Sequence, residues 1–153
     1  MRVSQFKDRV DALLSQGLGE LSMTLGVLAR IDRNSYEIIA VQSNSGAYVR
    51  GEKYDLGESF SRDVCENRKV IATTSIDKAS QPLLHPLYRS LPLESYIGAP
   101  IIVDGESWGC IDFSSMAQRE APFSESEQKM VDDLANEISQ LLCSLDDDDT
   151  TVL

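Results

Sequence analysis

Tyr96-Ile97-Gly98-Ala99-Pro100-Ile101-Ile102-Val103, then Asp104-Gly105, then Glu106-Ser107-Trp108-Gly109-Cys110-Ile111-Asp112-Phe113 decides the architecture. Two apolar-rich runs flank an Asp-Gly pair, the dipeptide that tolerates positive φ at both central positions of a type I′ turn. A two-residue loop there makes the runs antiparallel partners. It places Ile101 opposite Trp108, Ala99 opposite Cys110 and Ile97 opposite Asp112. Both strands read as central. Pro100 has no N–H for a ladder, so a bulge or an unpaired position is expected there.

C-terminal to the hairpin, Ser124 and Glu127 have capping-box spacing. Val131, Leu134, Ile138, Leu141 and Leu145 follow at intervals of three and four, which predicts a helix over 125–145 with one apolar seam. N-terminal to it, Asp77 to Pro92 contains three prolines and reads as loop. Before that come a strand over Val70 to Ser75, a short helix over Phe60 to Asn67 and a polar loop over 43–53. Leu25, Val27, Ala29 and Ile31 alternate, Asp32-Arg33-Asn34 supplies turn chemistry, and Tyr36 to Val41 is β-branched and aromatic, a second hairpin. Val3, Phe6, Val10 and Leu13 predict an opening helix over 3–16, with Gly17 and Gly19 at its end. Antiparallel hairpins between terminal helices imply an α+β fold with those helices covering one sheet face.

With 153 residues, 42% hydrophobic and 25% charged, the chain has the size and composition of one globular domain, enough to bury roughly 70% of its unfolded surface. Residues 1–145 read as that domain and 146–153 as an acidic solvated tail. A formal charge of −11 makes nucleic acid and anionic membrane poor partners, because both are recognised by basic patches. No apolar run approaches transmembrane or signal-peptide length, and a cytoplasmic location is expected. Cys65, Cys110 and Cys143 are scattered and His85 is the single histidine. That pattern predicts neither a disulfide framework nor a metal site, and no cofactor.

The residues Leu93-Glu94-Ser95-Tyr96-Ile97-Gly98-Ala99-Pro100, Val103-Asp104-Gly105, Trp108-Gly109, Asp112-Phe113-Ser114-Ser115 and Pro122-Phe123-Ser124-Glu125 resemble the closing hairpin and helix of GAF domains of bacterial signalling proteins. His85-Pro86-Leu87-Tyr88 is similar to a loop of that subgroup, and the likeness runs in order from about Leu25 to Leu142. It implies an antiparallel sheet of five or six strands, helices on one face, and a small-molecule pocket under loops on the other. Covalent bilin attachment is not expected, since no cysteine stands beside His85, and the Asn-Lys-x-Phe-Asp-Glu signature of cyclic-nucleotide binders is absent. Relatives that reduce free methionine sulfoxide use cysteines around the loop helix; Cys65 lies a few positions off that pattern.

Four side chains are the candidates for ligand contact: His85 and Tyr88 in the 77–92 loop, Tyr96 and Asp112 at the mouth end of the closing strands. A loop that long is expected to act as a lid. His85 has the alternative of fixing the turn before Pro86, Trp108 of packing on Ile101, and Asp112 of bonding backbone N–H groups of a neighbouring loop. Cys65, between Arg62 and Arg68, is either a reactive thiol or a small buried hydrophobe, Cys110 is core, and none of the three thiols is expected to be required. The leading function is a sensing module for an unidentified small molecule, signalling to a separate protein. A small reductase using Cys65 and a ligand-free dimerisation scaffold are the alternatives. The helices over 3–16 and 125–145 carry more apolar stripe than one sheet face covers, so a homodimer is expected, with Ile138→Glu plus Leu141→Glu yielding monomers. Thr151-Val152-Leu153 matches a PDZ-type C-terminal motif, with a solubilising tail as the alternative.

Overall fold

The computed structural model describes residues 1–43, 48–57, 59–74 and 94–145. Helix α1 (Val3–Leu21) leads into β1 (Leu25–Asp32), β2 (Ser35–Ser43), β3 (Lys53–Asp55), α2 (Phe60–Asn67), β4 (Ile71–Thr73), β5 (Ser95–Val103), β6 (Glu106–Ser115) and α3 (Glu125–Cys143). The six strands form one antiparallel sheet in the order β3-β2-β1-β6-β5-β4. The α+β architecture therefore follows the sequence reading. Strand β3 was not foreseen: Lys53–Asp55 lies at the end of the expected polar loop, where Tyr54 pairs with Tyr36 of β2.

The closing hairpin turns where expected, with φ of 52° at Asp104 and 79° at Gly105. Its register differs. Val103 faces Glu106 and Ile102 faces Ser107, but Ile101 faces Gly109, so Trp108 is an extra residue in β6. The bulge falls across from Ile101 and Ile102, while Pro100 keeps a partner, Cys110. Beyond the bulge every residue of β6 is displaced by one, and a shift of one moves a side chain to the other face. Gly98, not Ile97, is therefore opposite Asp112.

Each face of the sheet has its own core. On one, Leu28, Ile97, Ala99, Ile101, Ile111 and Phe113 pack with Phe6, Val10 and Leu14 of α1 and with Val131, Leu134 and Ile138 of α3. On the other, Val27, Ala29, Tyr36, Ile38, Tyr96 and Cys110 pack with Phe60 and Val64 of α2. Helix α1 does not stop at Gly17. A Cβ there would come within 3.0 Å of the Phe113 ring, so this glycine lets the helix lie close on the sheet, and the chain turns instead at Ser22, in the left-handed region with φ of 54°.

Helix α3 begins as expected. Ser124 Oγ accepts from the Glu127 N–H at 3.0 Å, and Glu127 Oε1 accepts from the Ser124 N–H at 2.9 Å. Glu127 also receives Arg119 on both carboxylate oxygens at 2.9 Å. Burial alone would raise the Glu127 pKa, but the Ser124 N–H and the Arg119 guanidinium outweigh it and the value falls below the usual 4.5. A carboxyl whose pKa is lower folded than unfolded stabilises fully above the unfolded value and ceases to do so as pH falls through the folded one. Glu127→Gln should accordingly flatten the decline in unfolding midpoint below about pH 4.5; an unchanged acid limb in a thermal-melt series would contradict this.

The α3 seam runs through Val131, Leu134, Ala135, Ile138 and Leu142, the drift of a straight 3.6-residue helix on a sheet rather than a 3.5-residue repeat. Leu141 sits at its half-buried edge. The apolar stripes of α1 and α3 are thus occupied within the chain, which removes the leftover-stripe argument for a homodimer and changes the expected result of the Glu substitutions. Ile138 is 0% exposed, so Ile138→Glu buries a charge and should cost about 4 kcal/mol or more, while Leu141→Glu should cost about 1 kcal/mol. Urea unfolding of the two single variants checks this, and equal midpoints would refute it.

Candidate functional site

The displaced register of β6 turns Asp112 to the face that carries α2. Asp112 is 1% exposed there, and a carboxylate out of water needs donors. It has four. Tyr36 Oη from β2 donates to Oδ2 at 2.9 Å, Ser61 Oγ from the first turn of α2 at 3.2 Å and Cys110 Sγ at 3.1 Å, while the Tyr96 hydroxyl from β5 donates to Oδ1. These described partners are side-chain hydroxyls from β2, α2 and β5 and a thiol from β6 itself.

Local structure holds each donor in place. Ser59 caps α2, its side chain accepting from the Arg62 N–H at 3.2 Å, which sets the first turn and with it Ser61. Phe60 stacks on the Tyr96 ring with centroids 5.4 Å apart. Gly98 leaves the room: a Cβ there would come within 3.0 Å of both the Tyr96 hydroxyl and Asp112 Oδ1. Burial, reinforced by the Asp112 charge, pushes the Tyr36 and Tyr96 hydroxyls well above their ordinary pKa, and they stay protonated donors at neutral pH. The Cys110 thiol is likewise raised, by burial first, then by contact with Cys65 and by Asp112.

Two positions further along β6, Ser114 Oγ is buried and has no hydrogen-bond partner among the described residues. Ser114 faces Tyr96 in β5, and Tyr96 faces Thr73 in β4. Strand β4 ends at Thr73 and β5 begins at Ser95, so the two described residues that flank 75–93, Thr74 and Glu94, follow and precede strands that border this cluster. Of the four sequence candidates, Tyr96 and Asp112 are brought into direct contact; His85 and Tyr88 lie outside the described residues, as do the rest of the 77–92 loop and residues 146–153. Tyr36, Ser61, Gly98, Cys110 and Ser114 complete the site.

The family pattern described as GAF domain matches residues 4–142. The chain belongs to the GAF domain family. Among solved structures, the GAF domain of Acinetobacter phosphoenolpyruvate-protein phosphotransferase aligns with a TM-score of 0.76 at 15% identity, over 91% of this chain and 82% of that one. A GAF domain region from Geobacter sulfurreducens PCA aligns with a TM-score of 0.74 at 18% identity, over 94% and 96%. The type II free methionine-R-sulfoxide reductase of Thermoplasma acidophilum aligns with a TM-score of 0.71 at 16% identity, over 90% and 92%. At such identities the likeness is one of fold. No curated protein matches the chain.

The GAF domain offers no helix long and apolar enough to cross a membrane among its described residues. Its two faces are linked through β6, where Asp112 points to the α2 side and the adjacent Phe113 packs beneath Gly17 of α1 and near Leu134 of α3. Adjacent residues of β6 thus face the polar cluster on one side and the α1–α3 interface on the other.

Proposed function

We propose that this GAF domain is a regulatory sensing module. It binds a small molecule on the Asp112 face of the sheet, beside the entry of segment 75–93, without turning it over, and transmits occupancy through β6 to α1 and α3. The observation that carries the reading is the buried pair on β6: a carboxylate surrounded by donors, with the orphaned Ser114 hydroxyl two residues on. A buried hydroxyl with no partner is costly, and a ligand group that bonds it repays that cost. The ligand class that fits is a small molecule with hydrogen-bond donors or a cationic group. His85 and Tyr88 belong to this proposal as ligand contacts read from the sequence, and cytoplasmic action on a separate signalling protein is part of it.

Native mass spectrometry of freshly purified protein tests the reading, since it shows a retained small molecule and the subunit number together. Asp112→Asn should weaken the retained ligand by roughly 1 to 3 kcal/mol, and Ser114→Ala should weaken it as well. An affinity unchanged by both substitutions overturns the site. Pairing of two copies is proposed through the outward faces of α1 and α3, which Arg9–Glu137 already ties side by side at 2.6 Å; a monomer at high micromolar concentration removes it. The alternatives separate in the same preparation. Methionine sulfoxide reduction lost in Cys65→Ser would favour the reductase, and dimers with no ligand the scaffold.

A further inference from the structure

Two of the three thiols meet. Cys65 is on the last turn of α2 and half-exposed, whereas Cys110 is buried in β6. The Cys65 backbone is fixed to β6 by the Ser107 hydroxyl, which donates to the Cys65 carbonyl at 2.9 Å. Its Sγ lies 3.4 Å from the carbonyl oxygen of Gly109, the residue before Cys110. Cys110 belongs to the buried cluster on this face, and Cys65 packs against that same cluster. An accessible thiol held against a buried one is the arrangement of a sensor cysteine beside its resolving partner.

We propose that Cys65 and Cys110 form a reversible intramolecular disulfide, with a peroxide as the oxidant, that pins α2 to β6. The Cys65 thiolate attacks one peroxide oxygen; the O–O bond breaks, and Cys65 becomes a sulfenic acid as hydroxide, or alcohol from an organic peroxide, departs. The Cys110 sulfur then attacks the Cys65 sulfur, the S–O bond breaks, and water leaves with the thiol proton. Two thiols have lost two electrons and two protons, and the peroxide has been reduced by two electrons. A dithiol reductant reverses the step by thiol exchange.

The bond has a consequence inside the polar cluster. Cys110 gives its S–H to Asp112 Oδ2, and a disulfide sulfur has no proton to give. Oxidation therefore removes one of the donors on Asp112 and immobilises the helix that supplies another, Ser61. Modulation of ligand affinity by this change rests on the sensing function proposed above; the disulfide itself does not.

The test uses the full chain with Cys143→Ser, which removes the exposed third thiol. After treatment with hydrogen peroxide, intact mass should fall by two hydrogens, both thiols should become unreactive to maleimide in denaturant, and a peptide map should link Cys65 to Cys110. In the Cys110→Ala variant the same treatment should leave Cys65 as a sulfenic acid that dimedone traps. A dimedone adduct on Cys65 of equal yield with Cys110 present, and no linked peptide, overturns the proposal. So does a pair of thiols that remain reduced. Neither readout requires a ligand, so the result stands apart from the sensing function.

Discussion

Gly109→Ala should lower the unfolding midpoint more than any other single glycine-to-alanine change in the sheet. A Cβ at 109 would lie within 3.0 Å of the Ala29 carbonyl oxygen, and the carbonyl carbon of Ala29 and the Cα of Arg30 are at 3.0 Å. These are backbone atoms of β1, the strand hydrogen-bonded to β6, and they cannot move aside as a rotamer does. The neighbourhood is already irregular on both sides, since Trp108 is extra in β6 and Ile39 is extra in β2 opposite the Leu28 to Ala29 step. Bulges bring backbones into close and uneven approach, and glycine is the residue that fits there. Separating the two central strands should cost about 3 kcal/mol, a midpoint drop of about 10 °C for a chain of this size. Gly19→Ala is the control, because nothing lies within 4 Å of its Cβ position on the exposed side of α1. It should raise the midpoint by the equivalent of about 0.5–1 kcal/mol. Matching midpoints for the two variants in a calorimetric scan would refute the steric account.

Turn and cap chemistry made the elements legible in the sequence. Asp104-Gly105 names a turn type, and Ser124 with Glu127 names a helix start, because each motif is satisfied by residues within four positions of one another. The faces were less legible. Trp108 has nothing in its local pattern to mark it as an extra residue, yet that one insertion carries Asp112 from the side of Ile97 to the side of Tyr96. Gly17 reads as a stop signal from propensity and is in fact a contact surface for Phe113, a residue 96 positions away that propensity does not see. Strand β3 is three residues long and is specified by pairing with Tyr36 rather than by its own composition. The site was half legible: Tyr96 and Asp112 stood out as polar groups in apolar strands, but Tyr36 and Ser61 join Asp112 from 76 and 51 residues away. Only the sheet order brings them together.

Asp112→Ala should be the most destabilising substitution among the polar residues, and the size of the loss depends on the hydroxyls that remain. Tyr36 and Tyr96 are both 0% exposed, and with Ser61 and Cys110 they lose the acceptor they share. Withdrawing the acceptor from a buried network while leaving its donors in place costs about 3 to 5 kcal/mol, a large share of the roughly 5–15 kcal/mol that holds a domain folded. Tyr36→Phe alone takes one donor from a charged acceptor and should cost about 1.5–3 kcal/mol. The two changes should not add. Once Asp112 is gone the Tyr36 hydroxyl has lost its charged acceptor, so the phenyl ring of Tyr36→Phe should recover part of the loss, giving a coupling of about 1–2 kcal/mol in a double-mutant cycle. Leu142→Ala, in the last turn of α3 and in the core on the opposite face of the sheet, supplies a partner outside the cluster for a second cycle with Asp112→Ala and should show no coupling beyond about 0.5 kcal/mol. Urea unfolding of the five variants and the parent protein decides it: additive losses for Asp112 and Tyr36 would mean that these groups act independently, and that the cluster is not the unit through which a bound molecule is sensed.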